Sequence, residues 1–275
     1  MAPERQLIRD AAPVELLHQI ERYYDTVPRA TADIEEHGPF TLFVGTGAWP
    51  YYARPRLHAP GGVFTAGEID AVRARQRELR VPEAFEWVDE TTPGLAAIAA
   101  AAGLTVHRHP LLVLDTPLEA EAVEGVAVRI ADDAAIPAAQ AAIGVSFGNG
   151  GTSAGDAGAS ERDAALARRS AAQDDFVRSL IARRLAVMAI AETAAGAVGG
   201  GTASPRDDVA ELTGIATLPA ARRRGIGAAI TAALTAEVRA RGVDTVFLSA
   251  AGDAVARVYE RVGFRRVATA CIAEA

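Results

Sequence analysis

The residues best suited to chemistry in this chain are Arg222-Arg223-Arg224-Gly225-Ile226-Gly227-Ala228, set between an apolar run and a periodic one. The preceding run, Val209 to Leu218, closes on the β-friendly Ile215-Ala216-Thr217-Leu218, and Pro219 cannot donate a ladder hydrogen bond, so a strand is expected to stop there. From Ile226 the apolar residues Ile226, Ile230, Ala233, Leu234 and Val238 recur at helical steps, predicting an amphipathic helix that opens at the glycines. The first turn of a helix leaves backbone N–H groups unpaired at the positive end of the macrodipole. Two glycines let a phosphate approach that backbone without Cβ interference, and three arginines add charge beside it. The chemistry this implies is polyanion binding.

Two other readings compete at this point. An arginine-rich solvated turn is the bland one. A dinucleotide-binding loop is the other, since Gly225-Ile226-Gly227 also opens a helix after a strand. The dinucleotide fingerprint needs a third glycine where Ile230 stands and an acidic residue closing the next strand, whereas Asp244 precedes the strand Thr245 to Leu248. Downstream, Val255, Val258, Tyr259 and Val262 form one helical face and Gly263 suits a left-handed position just past the helix end. Tyr259 shares that face with three valines, so packing competes with chemistry as its role.

The spacing of Arg222, Gly225 and Gly227 resembles the acetyl-CoA signature of the GNAT superfamily of acyl-CoA-dependent N-acyltransferases, and Val255 to Phe264 resembles the helix of that family that ends in Tyr, three residues, Gly-Phe. The resemblance implies a mixed α/β sheet flanked by helices. It implies acetyl-CoA held by Ile215, Ala216, Thr217, Arg222, Arg223, Arg224, Gly225, Ile226, Gly227 and Ala228, and Tyr259 as the acid that protonates the leaving thiolate. It also points to Glu211, near the start of the strand, as a general base. An alkylammonium of pKa ~10 is almost wholly protonated at neutral pH and cannot attack a thioester. Against that role, Val209, Glu211, Thr213 and Ile215 are expected on one strand face, where Glu211 could be merely solvated. Many family members carry an asparagine upstream of the tyrosine; this chain has Gly252 there, followed by Asp253.

The elements that would position this machinery extend through 275 residues, long for one such unit and suited to two modest domains. Phe85 to Val88, Pro93 to Ala102, Gly103-Leu104 and Leu111 to Leu114 parallel Val246 to Leu248, Asp253 to Val262, Gly263-Phe264 and the strand after it. Upstream, Phe40 to Gly45 reads as a strand and Thr65 to Leu79 as a helix. The first half thus resembles a worn GNAT copy, with Ala99 at the tyrosine position and no Arg-x-x-Gly-x-Gly within Pro55 to Gly67, and is expected to bind no coenzyme. The expected organisation is a degenerate domain at 1–116, an acidic connector at 117–125 (Pro117 to Gly125, with Glu119, Glu121 and Glu124), and a catalytic domain at 126–275 that begins with the strand Val126 to Ile130. Gly148 to Ser160 contains no large apolar residue and cannot order itself by burial; it reads either as a substrate lid or as a disordered surface loop.

Composition narrows the remaining classes. Half of the residues are hydrophobic, yet no stretch approaches transmembrane length, and Met1 to Tyr24 lacks a signal-peptide apolar block, so no membrane role is expected. Net charge is −7, which argues against nucleic acid although every basic residue is arginine. The lysine-free, Ala- and Arg-rich usage resembles a high-GC bacterial genome, and the single Cys271 fits a cytoplasmic strand residue. Trp49, Tyr51 and Tyr52 cluster around Pro50 and could stack on a cationic acceptor or simply pack. His107 and His109 lack the carboxylate or cysteine company of a metal site, so no metal is expected. The resulting expectation is an N-acetyltransferase that moves the acetyl group of acetyl-CoA to a primary amine of a small molecule or peptide. A non-catalytic acyl-CoA-binding protein is the alternative, and a homo-oligomer is compatible with either.

Overall fold

The computed structural model describes residues 14–47, 49–57, 63–116, 118 and 121–275. The N-terminal part of the Met1 to Tyr24 reading, Pro117 and Glu119 of the connector, and positions 58–62 within Pro55 to Gly67 lie outside the described residues. In chain order the elements begin α1 (Val14–Arg29), β1 (Ala32–His37), β2 (Phe40–Gly45), β3 (Ala53–Pro55), α2 (Ala66–Leu79), β4 (Ala84–Val88), α3 (Leu95–Ala101) and β5 (Thr105–Leu114). They continue β6 (Ala127–Ile130), α4 (Ile136–Phe147), α5 (Ala159–Ala167), α6 (Ala171–Ala182), β7 (Val187–Thr193), β8 (Gly196–Arg206) and β9 (Val209–Thr217). Last come α7 (Ile226–Ala240), β10 (Thr245–Ser249), α8 (Asp253–Glu260) and β11 (Phe264–Glu274).

The chain forms two compact units. The first holds the described residues up to Leu111 together with 249–252 and 266–275, and the second holds 112–248 and 253–265. Residues 266–275, assigned from sequence to the second half, therefore pack with the first. The cause is strand pairing: β11 runs antiparallel to β4, with Cys271 opposite Trp87 and Ala273 opposite Phe85. Pattern along the chain reports that β11 is a strand but not which neighbour it joins, because pairing is a long-range choice.

In the first unit β1, β2 and β3 are joined antiparallel and β3 meets β4 parallel. A core of Phe40, Leu42, Ile69, Val72, Phe85, Trp87 and Leu95 fills the space between this sheet and the helices α2 and α3. Helix α2 starts where the sequence places it. Thr65 caps the Glu68 N–H, and the Glu68 carboxylate accepts from the Thr65 N–H, a reciprocal pair that satisfies two otherwise open donors.

In the second unit β6, β7, β8 and β9 form an antiparallel run, and β9 then meets β10 in parallel through the intervening helix α7. Helix α7 buries Ile226, Ile230, Leu234 and Val238 of the stripe read from its periodicity, with Ala233 half-buried. Three successive glycines of β8 lie beneath it and α4. A Cβ on Gly199 would meet Ile230 at 3.2 Å, one on Gly200 would meet Ile143 at 3.1 Å, and one on Gly201 would meet Ile230 at 3.1 Å and Leu234 at 3.2 Å. The absence of side chains there lets helices approach both faces of one strand.

Candidate active site

The site begins with a strand that leaves its neighbour. Strands β9 and β10 pair at Val209 with Thr245, Ala210 with Val246 and Glu211 with Phe247. Beyond that rung no registered pair follows, although β9 runs to Thr217 and β10 to Ser249. Among the described residues the backbone of 212–217 therefore has no strand partner on the β10 side, while β8 pairs its other edge and the Thr217 carbonyl accepts from Arg222. The opening lies at the carboxyl ends of two parallel strands, the place where open α/β sheets bind ligands.

A bulge reinforces the divergence. The β8 to β9 register slips between Gly200 and Thr202, and Gly214 takes φ +63°. Two residues of β9, Gly214 and Ile215, consequently oppose the single Gly201, which bends the strand and reverses its alternation. The expectation that Val209, Glu211, Thr213 and Ile215 share one face fails at this point. Ile215 lies with Gly201, Ile230 and Leu234 on the α7 face, while Thr213 pairs with Thr202 on the other. Strict period-two reading has no means of locating a bulge, although the Gly214 before Ile215 is the one local signal for it.

The arginine and glycine loop follows directly. After a single 3-10 turn at Pro219–Ala221, Arg223 takes φ +66° and Gly225 φ +86°, the latter as the residue capping α7. No side chain caps α7 and no acidic residue stands in its first turn. The N–H groups of Ile226, Gly227 and Ala228 thus meet no intrahelical acceptor, and left-handed residues before a helix turn such donors into an anion-binding concavity. Nothing lies within 4 Å of a Cβ placed on Gly227, so the approach is open. Arg223 and Arg224 are exposed, and Arg224 donates to the Glu124 carbonyl at 2.9 Å.

Arg222 behaves differently from the other two. Its Nε donates to the Thr217 carbonyl at 3.1 Å, Nη1 to Ser153 at 3.1 Å, and Nη2 to Ser146 at 3.1 Å and Asn149 at 2.6 Å. These acceptors belong to the end of β9, the end of α4 and the Gly148 to Ser160 segment. That segment is docked: the Gly155 N–H donates to the Pro219 carbonyl at 3.2 Å, and the Ala220 N–H donates to Ala157 at 3.1 Å. Phe147, at the junction of α4 with the segment, is 62% exposed.

Tyr259 lies on α8, which opens just past the carboxyl end of β10. Its ring packs edge-on against Phe264 at 5.7 Å, yet part of its surface stays accessible. Burial pushes its hydroxyl above the usual tyrosine range, so it remains protonated and able to donate at physiological pH. Gly263 ends the helix at φ +102°, the left-handed position read from sequence. Its carbonyl accepts from Asp115 and Thr116, and a Cβ there would collide with the Thr116 hydroxyl. Glu211 is half-buried on the rung where β9 and β10 part.

The aromatic candidates of the first unit divide. The Tyr51 hydroxyl bonds Thr31 Oγ1 at 2.6 Å, and Tyr52 stacks edge-on against Tyr51 and faces the Arg54 guanidinium at 5.8 Å. Trp49 is 60% exposed. His107 and His109 stack at 6.4 Å, and among the described residues no cluster of His, Cys, Asp and Glu could hold a metal. Among the described residues no helix is long and apolar enough to cross a membrane. Cys271 is buried in β11, and burial pushes its thiol up to about 11, which keeps it unreactive.

The family model described as the acetyltransferase (GNAT) family matches residues 161–264. No curated protein matches the sequence significantly. Among solved structures, the chain is similar to a GCN5-related N-acetyltransferase from Kribbella flavida at 21% identity, covering 94% of this chain and 95% of that one with a TM-score of 0.68. A GCN5-related N-acetyltransferase from Sphaerobacter thermophilus is similar at 15% identity over 86% of this chain and 80% of that one, with a TM-score of 0.58. A tandem GNAT protein from the clavulanic acid biosynthesis pathway is similar at 17% identity over 86% and 78%, with a TM-score of 0.54. The fold of the chain is therefore that of the GNAT proteins, and the stretch similar to the GNAT family model, residues 161–264, carries the open β9 edge, the arginine and glycine loop and Tyr259.

Proposed function

We propose that this protein transfers the acetyl group of acetyl-CoA to a primary amine of a small molecule or peptide. The observation that carries the reading is the parting of β9 from β10 after Glu211 and Phe247, with the glycine loop and the Tyr259 helix opening at the same carboxyl end. A coenzyme would lay its pantetheine along the edge of Ile215, Ala216 and Thr217 that β10 leaves uncovered. Its pyrophosphate would sit on the N–H groups of Ile226, Gly227 and Ala228 beyond Gly225, with Arg223 and Arg224 supplying charge. One β9 N–H would polarise the thioester carbonyl.

In this scheme the free amine attacks the thioester carbon, and Glu211, directly or through water, takes the proton released as the C–N bond forms. The tetrahedral intermediate then collapses, the C–S bond breaks, and the Tyr259 hydroxyl hands its proton to the leaving thiolate. No covalent enzyme intermediate is needed. The first unit, with Ala99 buried at the position matching the tyrosine, is read as a degenerate GNAT copy that binds no coenzyme; Trp49, Tyr51 and Tyr52 are its candidates for acceptor contact. The similarity to a tandem GNAT protein supports two GNAT-like halves, joined near 117–125, with 266–275 contributed to the first unit. The lysine-free, Ala- and Arg-rich composition and the buried Cys271 support a bacterial, cytoplasmic setting.

The test is product analysis by mass spectrometry after incubation with acetyl-CoA and a panel of primary amines, paired with calorimetry. One coenzyme bound per chain and an acetylated amine support the reading. Binding without product from any amine would instead indicate a non-catalytic acyl-CoA-binding protein, and no binding at all would remove the coenzyme assignment.

A further inference from the structure

We propose that Arg222 is a positioning residue that straps the 148–158 segment and the end of β9 to the coenzyme loop, leaving phosphate binding to Arg223, Arg224 and the backbone of α7. A guanidinium carries five N–H donors. Arg222 directs its donors to four main-chain carbonyls, those of Ser146, Asn149, Ser153 and Thr217. It is half-buried while its two neighbours are exposed, and the partners of its guanidinium are all main-chain carbonyls. A group so committed has little left to offer a phosphate.

What Arg222 holds matters for the site. The 148–158 segment has no large apolar residue, so burial cannot fix it. Its ends bond to the flanking helices through Asn149 and Gly158, and besides the arginine its anchors to the 219–220 turn are two backbone hydrogen bonds and the close approach of Gly155 and Gly158, whose added Cβ atoms would sit 3.2 Å and 3.3 Å from the Pro219 and Ala220 side chains. Three of the four accepting carbonyls flank or lie within this segment, and the fourth, Thr217, ends the open edge of β9. One side chain therefore joins the edge offered to pantetheine to the rim of the phosphate loop. It also fixes the carbonyls on both sides of the exposed Phe147. Releasing it frees the segment and loosens the end of β9 together.

This inference rests on the coenzyme reading above, and its test separates the two. Hydrogen exchange of peptides covering 146–158 and 212–218 is measured without coenzyme for wild type, Arg222→Ala, Arg222→Lys and Arg223→Ala, alongside calorimetry with acetyl-CoA. Arg222→Ala is expected to speed exchange in both peptides by about tenfold or more and to raise the acetyl-CoA Kd by about tenfold. Arg222→Lys, which keeps charge and three donors but loses the planar fork, is expected to fall between. Arg223→Ala is expected to weaken binding with exchange unchanged. An Arg222→Ala protein that loses affinity while its coenzyme-free exchange stays at the wild-type rate would show a direct phosphate ligand and overturn the proposal. Faster exchange with unaltered affinity would reduce the strap to loop packing and overturn it equally. If wild type binds no acetyl-CoA, the functional reading fails and the positioning role fails with it; exchange that still speeds in Arg222→Ala would then mark a purely structural clamp.

Discussion

Glu211 and Phe247 form the last rung of the parallel ladder between β9 and β10, and apart from Glu211 itself the residues proposed for acyl transfer lie beyond it. The divergence has a local cause in Gly214 and in the glycines of β8, which admit an extra β9 residue and a helix on each face. Gly199 is the sharpest point of that arrangement. A Cβ there would lie 2.6 Å from the Ala216 carbonyl oxygen, a backbone atom that cannot rotate away. Gly199→Ala should therefore displace β9 at the proposed pantetheine edge, costing about 1–3 kcal/mol of stability and weakening acetyl-CoA binding at least tenfold. Denaturant unfolding and calorimetry check it; an unperturbed Kd would show that the open edge does not hold the coenzyme.

Gly225 tests the anion site in two steps. At φ +86° it occupies the left-handed region, so any L side chain costs roughly 1–2 kcal/mol there. The nearest atom to an added Cβ is Val123 Cγ2 at 3.7 Å, so space is not the obstacle. Gly225→Ala should thus show the backbone penalty alone, with affinity reduced several-fold. Gly225→Asp adds a carboxylate beside the helix N-terminus and should abolish measurable acetyl-CoA binding in a protein as stable as the alanine variant. Equal affinities for the two variants would place the pyrophosphate elsewhere.

Much of this was legible in the sequence, and the failures share one origin. The strand before the loop, helix α7, the strand Thr245 to Leu248, and the left-handed Gly263 follow from periodicity and glycine placement, both local properties. The bulge at Gly214, the pairing of β11 with β4 and the carbonyl-gripping Arg222 depend on residues far apart in the chain. Arg222 illustrates the limit well. In a motif it reads as a phosphate ligand, and only the arrival of Ser146, Asn149 and Ser153 around it shows where its donors go. The docking of 148–158 was likewise hidden, because a segment without apolar residues is held here by backbone contacts that composition does not encode.

Tyr259→Phe keeps the ring and its contact with Phe264 while deleting the hydroxyl. A general-acid role implies a kcat loss of roughly 10²–10⁴-fold with acetyl-CoA affinity nearly intact. Because burial pushes the hydroxyl above its ordinary range, Tyr259 does not ionise between pH 6 and pH 9 and cannot shape the profile there. The rise of kcat/KM with pH should report the acceptor amine losing its proton, and Tyr259→Phe should lower the whole curve without moving its midpoint. A pH–rate series on both proteins checks this. Activity within a few-fold of wild type would make Tyr259 a packing residue.

A last prediction concerns the first unit and follows from charge burial. Arg54, 3% exposed, contacts Glu21 at 3.2 Å and Glu86 at 3.6 Å and lies 4.4 Å over the Tyr24 ring. Glu21 is further satisfied by the Val88 N–H and the Thr91 hydroxyl, whereas Glu86 is pushed up to about 7 by burial, with Arg54 and a hydrogen bond from Tyr52 opposing the shift. The sign follows directly. A carboxyl that holds its proton more tightly folded than unfolded favours the folded state at low pH, and that contribution is lost as pH rises from the ordinary carboxylate value through about 7. The Glu86 side chain is still 26% exposed, which trims the effect to about 1–2 kcal/mol. Thermal unfolding between pH 5 and pH 8 should show the wild-type midpoint falling as pH rises. Glu86→Gln, neutral throughout, should flatten the slope and match or exceed wild-type stability at pH 8. A Glu86→Gln protein that is less stable than wild type at pH 8, with the slope unchanged, would mean that Glu86 is ionised in the fold and that Arg54 needs both carboxylates.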